Sequence, residues 1–445
     1  MSSWLLMGLP GVAYLSGICD ASWTAIGLAI GTYLNWLIVA KRIRRYSAKT
    51  NSITLPGFFA NRYRDDSKLL LGISAIFIII FFVPYTASGF AACGKLFSTL
   101  FGIPYTAAML ISAVVIVGYT ALGGFMAASF TDLIQSIVMT IALVLVVCFG
   151  VSMSGGVQNV LENAKELPGF LSLTATYNSE TGSASSYGTI TTVSTLAWGL
   201  GYFGVPHVLL RFMATENEEN ISLSRRIATV WVVISLTAAV MIGVSGRMVL
   251  GDGLLDGNGQ QEIIYITMVS KFFPLFIAGI FLSAILAAIM STADSQLLVT
   301  ASALTKDFYH NKIRPQATEK ELMWVSRGCV MGVAVIAVLI ATNQNSTVLG
   351  LVSYAWGGFG SAFGPLVLCS LFWKRTNKQG AYAGILVGGI VDLVWAQLSG
   401  GIFDLYEIVP GFVCGLIAIF VVSLLTAAPS KEITDEFDSY RSCEE

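Results

Sequence analysis

Runs of roughly twenty apolar residues, the length a helix needs to cross a bilayer, alternate with short polar stretches along this chain. They fall near 1–18, 22–41, 69–94, 105–124, 130–153, 190–213, 226–249, 274–304, 325–343, 347–373, 381–399 and 407–428. The pattern predicts an all-α integral membrane protein with about twelve spans, the first of them short. The loop 154–189 is long, polar and rich in Ser, Thr and Gly, and 250–262 and 306–322 are polar as well. Residues 429–445 read as a polar tail, and 1–445 as a single transmembrane domain.

Composition agrees. The 445 residues are 55% hydrophobic and only 11% charged, where soluble domains carry about 25% charge. Net charge is −1, so nothing points to a nucleic-acid partner. The seven cysteines show no CxxC or CxxxC spacing, which argues against a metal cluster or disulfide framework. The start runs into apolar sequence without a charged leader.

Lys and Arg give an orientation. Segment 41–68 holds Lys41, Arg42, Arg44, Arg45, Lys49, Arg62, Arg64 and Lys68, and 306–327 holds Lys306, Lys312, Arg314, Lys320 and Arg327. The loop 154–189 carries Lys165 alone. The basic segments and the C-terminal tail are therefore expected in the cytoplasm. Segment 1–18 then runs outward and 190–213 inward.

One segment does not suit a lipid-facing helix. Trp198-Gly-Leu-Gly-Tyr-Phe-Gly-Val-Pro-His207 places three glycines and a proline inside an apolar span. Each backbone group freed there must find a partner or line a cavity. A broken helix at a midplane substrate site has this composition. Trp198 and Tyr202 are four apart and share a face if the segment is helical.

Five stretches carry a family resemblance: Trp4 to Gly11, Tyr119 to Phe125 with Thr131 and Asp132, Trp198 to His207, Leu282 to Thr292, and Gly350 to Pro365. In this order they resemble the sodium:solute symporters, in particular the bacterial proline carriers. The resemblance implies an inverted five-helix-repeat, LeuT-like core with additional C-terminal helices. In it, 1–18 is the outer half of the first core helix and the Trp198 segment its counterpart. Family members have about one and a half further helices before this point, and an aspartate just before the position of Met1. The chain is therefore expected to be N-terminally truncated relative to them. Ser3 stands where the family usually has glycine.

The same resemblance implies site residues. Sodium is a hard cation that prefers oxygen ligands, as calcium does. The family pattern assigns it to Ser291 and Thr292 by side chain, Ala288 by carbonyl, and the backbone at Met1. Read without the family, Ser and Thr in a membrane helix more often bond back to that helix. Tyr85, Trp198, Tyr202 and Pro206 resemble a proline pocket, in which aromatic faces receive the ring and the ammonium. Freed amides near Ser2 would hold the carboxylate. Single aromatics in a bundle usually only pack.

Asp294 lies deep in its span, where a carboxylate needs a partner or a water path. Inward ion release and a plain vestibule role are both open for it. Asp132, at the start of a span, reads either as a helix cap or as a second ion position. His207 reads as a satisfied bundle residue, and Tyr406, Glu407 and Asp404 as surface.

The expected activity is sodium-coupled uptake of proline across the cytoplasmic membrane by alternating access, with Na+ as coupling ion, no organic cofactor and no catalytic constellation. Two alternatives stay open. One is symport of another small solute, such as a different amino acid, an organic acid or pantothenate. The other is a solute-binding membrane sensor. Oligomeric state cannot be read from the chain.

Overall fold

The computed structural model describes residues 2–255 and 259–441, with backbone alone at 122–129, 312 and 441. A 3₁₀ turn, Ser3–Leu5, leads into α1 (Gly8–Ser16), and a break at Gly17 leads into α2 (Ile18–Lys49). The short α3 (Leu55–Arg62) precedes α4 (Leu69–Phe101). Then come α5 (Tyr105–Ala121), α6 (Phe130–Met153), α7 (Val157–Glu166) and a hairpin of β1 (Ala175–Asn178) and β2 (Ser183–Ser186). The pair α8 (Thr189–Phe203) and α9 (Pro206–Met213) is bent by 41°. Next are α10 (Asn220–Leu250), α11 (Ile264–Phe272), α12 (Leu275–Asn311) and α13 (Glu319–Ala341). The last four are α14 (Val348–Phe372), α15 (Lys378–Trp395), α16 (Ile408–Leu425) and α17 (Lys431–Arg441).

Among the described residues, α2, α4, α6, α10, α12, α13, α14 and α16 are each long and apolar enough to span a membrane, and the bent α8–α9 pair adds a ninth. α5 and the stretch Ser3–Ser16 are shorter apolar helices. The backbone from Tyr105 to Met153 is helical throughout, yet it cannot be one rod. The hydroxyls of Tyr119 and Thr131 lie 2.8 Å apart, whereas twelve residues of straight helix would separate them by about 18 Å. α5 and α6 are therefore two segments set at an angle to each other.

Local chemistry sets many of the ends. Thr54, Thr347 and Asn377 each accept a backbone N–H three residues on and so cap α3, α14 and α15. Gly17 has φ +88°, and any side chain there would strike the Phe170 backbone. Gly27 and Gly31 of α2 face Leu196 and Gly199 of α8 with no room for a Cβ. Small residues of this kind let membrane helices approach backbone to backbone.

Three polar regions are more ordered than their composition suggests. The loop 154–189 holds α7 and the hairpin. The stretch 306–322 is partly the C-terminal end of α12, whose last turns are π-helical. The tail is a docked helix: Phe437 and Tyr440 are buried, Tyr440 stacks on Tyr46 at 4.4 Å, and Arg64 pairs with Glu436 at 2.5 Å. Polar sequence with a hidden apolar stripe is easily taken for loop, because the stripe is diluted by charge.

Candidate functional site

The break in the Trp198 segment is where the backbone leaves α geometry. Ala197–Phe203 is 3₁₀, and Pro206 then starts α9 at a first-turn position, where a missing N–H costs nothing. The freed carbonyls are taken up by side chains. The Trp356 indole N–H donates to Trp198 O at 2.7 Å, and the Asn35 amide donates to Tyr202 O at 3.0 Å. Gly201 leaves the space that the Trp356 ring fills.

These residues enclose a small cavity of about 50 Å³, lined in part by Trp4, Tyr85, Trp198, Tyr202, Thr292 and Trp356. Trp4 and Trp198 approach at 5.8 Å between ring centroids, and Tyr202 meets Trp356 edge-on at 4.9 Å. Because the segment is 3₁₀, Trp198 and Tyr202 do not stack on one α-helical face, yet both reach the cavity. Tyr85 is buried beside it, immediately after Pro84, the proline inside α4. Ser2 is buried at the start of the Ser3–Leu5 turn, and its hydroxyl has no hydrogen-bond partner among the described residues.

The proposed cation ligands sit on α12 beside this cavity. Ser291 Oγ donates to Ala288 O at 3.1 Å, the back-bond expected of serine in a membrane helix. This does not disqualify either atom, since a hydroxyl keeps its lone pairs when it donates and a carbonyl has two. Ala288 is buried, whereas Ser291 and Thr292 are partly accessible, and Thr292 lines the cavity. The donor set is all hard oxygen and fits sodium. Met1, the fourth expected contributor, lies outside the described residues.

Pro206 lines a different space. A cavity of about 630 Å³ opens on the face that carries the basic segments, and Thr54, Pro206, His207, Arg211, Ser295 and Asp307 are among its walls. His207 borders both cavities. It is not a satisfied bundle residue: Nδ1 is buried without a hydrogen-bond partner among the described residues, and the ring packs 5.7 Å from Phe82 and 6.2 Å from Tyr85. Its two neighbours are aromatic faces, so burial alone could not satisfy its nitrogen.

The two aspartates lie next to Arg211 and Ser295, which wall that larger cavity. Asp132 pairs with Arg211 of α9 at 2.5 Å, so it serves as an ion-pair partner rather than a simple cap. Arg211 also donates to Ser295 Oγ at 3.0 Å, next to Asp294. Asp294 is 1% exposed. Its Oδ1 accepts the Ser295 amide at 2.6 Å, while Oδ2 is buried without a partner among the described residues.

Sequence reasoning missed Trp356 and Asn35. Both had a signal: Asn35 is a lone amide in an apolar span, and Trp356 lies inside the glycine-rich Gly350–Pro365 stretch. It also misjudged Tyr406 and Glu407. Tyr406 stacks on Trp198 at 5.6 Å and donates from its hydroxyl to Ser353 O at 2.6 Å. Only Asp404 of that group is exposed.

Broken helices meeting at a mid-bundle cavity define a secondary carrier, and solved structures place the fold. A Na+-coupled sialic acid symporter, solved substrate-bound and outward-open, superposes with a TM-score of 0.77 at 20% identity, covering 97% of this chain and 88% of its own. The inward-facing conformation of Mhp1 superposes with a TM-score of 0.51 at 14% identity, covering 98% and 91%. The sodium:solute symporter family matches residues 1–388. The high-affinity proline transporter PutP of Bacillus subtilis (strain 168) is 43% identical, over 99% of this chain and 91% of that protein. The sodium/proline symporter of Escherichia coli (strain K12) is also 43% identical, over 98% and 86%. The chain belongs to the sodium:solute symporter family.

Proposed function

We propose that this protein couples sodium entry to the uptake of proline by alternating access across the cytoplasmic membrane. The observation that carries the reading is the near full-length, 43% likeness to proline carriers joined to an aromatic cavity with a hydroxyl-bearing helix in its wall. Proline offers a saturated ring, a secondary ammonium and a carboxylate. Trp198, Tyr202 and Tyr85 suit the first two through apolar contact and cation–π attraction. The amide groups around Ser2 and Ser3 receive the carboxylate, as the start of a broken helix does for anionic groups.

Sodium binds at Ala288 O, Ser291 Oγ and Thr292 Oγ1 with backbone from the Met1 end of the chain. Because Thr292 also faces the cavity, filling this position orders the wall that proline touches. The basic segments are cytoplasmic by the positive-inside rule, and so is α17. The cavity of about 630 Å³ is then the cytoplasmic exit, with the Asp132–Arg211–Ser295 chain along the ion path. One charge moving down 100 mV releases about 2.3 kcal/mol, enough for roughly forty-fold accumulation.

Uptake of labelled proline into cells lacking their own carriers tests the reading. Uptake should require sodium and be competed by unlabelled proline. Competition by pantothenate, an organic acid or another amino acid, but not by proline, assigns a different solute to the same fold.

A further inference from the structure

A second polar cluster lies away from the sodium and proline positions. Asp392 of α15 is 0% exposed. Its Oδ1 accepts the Ser361 hydroxyl at 2.8 Å, and its Oδ2 is buried with no hydrogen-bond partner among the described residues. Glu407, at the start of α16, points to the same place. The position a Gly357 Cβ would take lies 3.3 Å from Asp392 Oδ1 and 3.4 Å from Glu407 Oε1. Gly357 thus leaves a gap that both carboxylates border.

Among the described residues, no cationic side chain pairs with either carboxylate. Ser361, Tyr354 and Gly357 face the pair from α14, Tyr406 precedes Glu407, and α4 packs Phe77 against Gly389 of α15. Two ionised carboxylates at this depth with no cation are strongly disfavoured. Either one carries a proton or an ion sits between them. Asp392 is sealed in, while Glu407 is partly accessible, on the side opposite the basic segments. The residue before Glu407 is Tyr406, which stacks on Trp198.

We propose that Asp392 and Glu407 bind one small monovalent cation, a proton or a sodium ion taken from the external side. Its presence sets the position of Tyr406 against Trp198 and so tunes proline affinity. The link to proline rests on the function proposed above; the site itself does not.

The test uses the full chain, wild type against Asp392→Asn and Glu407→Gln. If the occupant is a proton, the wild-type KM for proline rises about fivefold or more between about pH 6 and about pH 8.5, a typical coupling between sites, and both variants are flat. If it is sodium, KM carries a sodium-dependent component that survives Thr292→Ala and is lost in Asp392→Asn. The melting temperature of the purified protein without proline reads the same site independently of transport. With a proton bound only in the folded pair, the wild-type melting temperature falls as pH rises, because the unfolded chain releases that proton; the variants lose the slope. With sodium, the melting temperature rises on adding sodium chloride in Thr292→Ala but not in Asp392→Asn. Wild-type dependence on both pH and sodium in the two variants overturns the proposal. Glu407→Gln, at the more accessible position, keeps the test open if Asp392→Asn fails to fold. Site responses in melting with no proline transport would fault the proline reading alone.

Discussion

On the far side of the Trp198 cavity, backbone packs on backbone and a buried ion pair closes the bundle; on the basic side, His207 is the wall between that cavity and an opening of about 630 Å³. Gly27 and Gly31 meet Leu196 and Gly199 without room for a methyl group. Glu262 pairs with Lys95 at 2.6 Å and accepts the Val348 and Leu349 amides, each at 3.0 Å. It thereby pins the start of α14 to the end of α4. The walls on the basic side instead carry Thr54, Arg211, Ser295 and Asp307, side chains that water can serve. The bundle is thus shut on the far side and open toward the basic segments. With those segments in the cytoplasm, as proposed, transport requires the glycine contact and the Glu262 cluster to loosen while the polar walls on the basic side close.

The largest effect is expected at the closed end. Glu262→Ala leaves Lys95 buried without its anion and the Val348 and Leu349 amides without their acceptor, a loss of about 3–5 kcal/mol for a broken buried pair. The melting temperature of the purified protein should drop well below that of the wild type. An unchanged melting curve would mean that the far side is not held by this cluster.

The next effect separates the cavity wall from its aromatic lining. Thr292→Ala should raise the sodium concentration for half-maximal uptake by about tenfold or more, the scale on which ligand environments tune metal affinity, with proline KM at saturating sodium little changed. Trp356→Phe keeps an aromatic ring, smaller than the indole, but removes the N–H that holds Trp198 O. It should cost about 1 kcal/mol, read as a roughly fivefold higher KM for proline. An effect on sodium alone would place Trp356 outside the pocket's support.

These two residues also mark how far the sequence is legible. The apolar runs and the broken Trp198 segment follow from local composition: apolar length, glycine and proline. The twelve runs expected nonetheless exceed the eight helices, or nine with the bent pair, that are long and apolar enough to cross a membrane among the described residues, and Ser291 and Thr292 are singled out by the family resemblance rather than by composition. Trp356, Asn35, Asp392 and Glu407 act across the bundle, on partners 158 and 167 residues away in the first two cases. No local period reports such pairings. The 3₁₀ geometry at Ala197–Phe203 was likewise out of reach, because it depends on side chains arriving from α2 and α14. The α17 helix escaped for the opposite reason, its charges hiding a short apolar stripe.

The smallest expected effect lies on the basic face, outside the membrane. Burial pushes the Asp65 carboxyl up, but hydrogen bonds from Ser67, Tyr382 and the Leu70 amide outweigh it and hold the group below its usual value. A carboxyl lowered by folding stabilises above its unfolded pKa of about 3.9 and loses that contribution as pH falls further. Asp65→Asn should therefore flatten the drop in melting temperature below about pH 4, while costing up to about 1 kcal/mol at neutral pH through the weakened contact with the start of α4. A variant as acid-sensitive as the wild type would remove Asp65 from the account.

The central claim is that an inward sodium gradient drives proline through the Trp198 cavity. The direct measurement is proline accumulation in proteoliposomes containing the purified chain, with sodium outside and potassium inside. Proline should accumulate transiently above equilibrium, and this accumulation should disappear when choline replaces sodium and be strongly reduced by Thr292→Ala at low sodium. Proline movement that is indifferent to sodium, from protein shown to be folded, would contradict it.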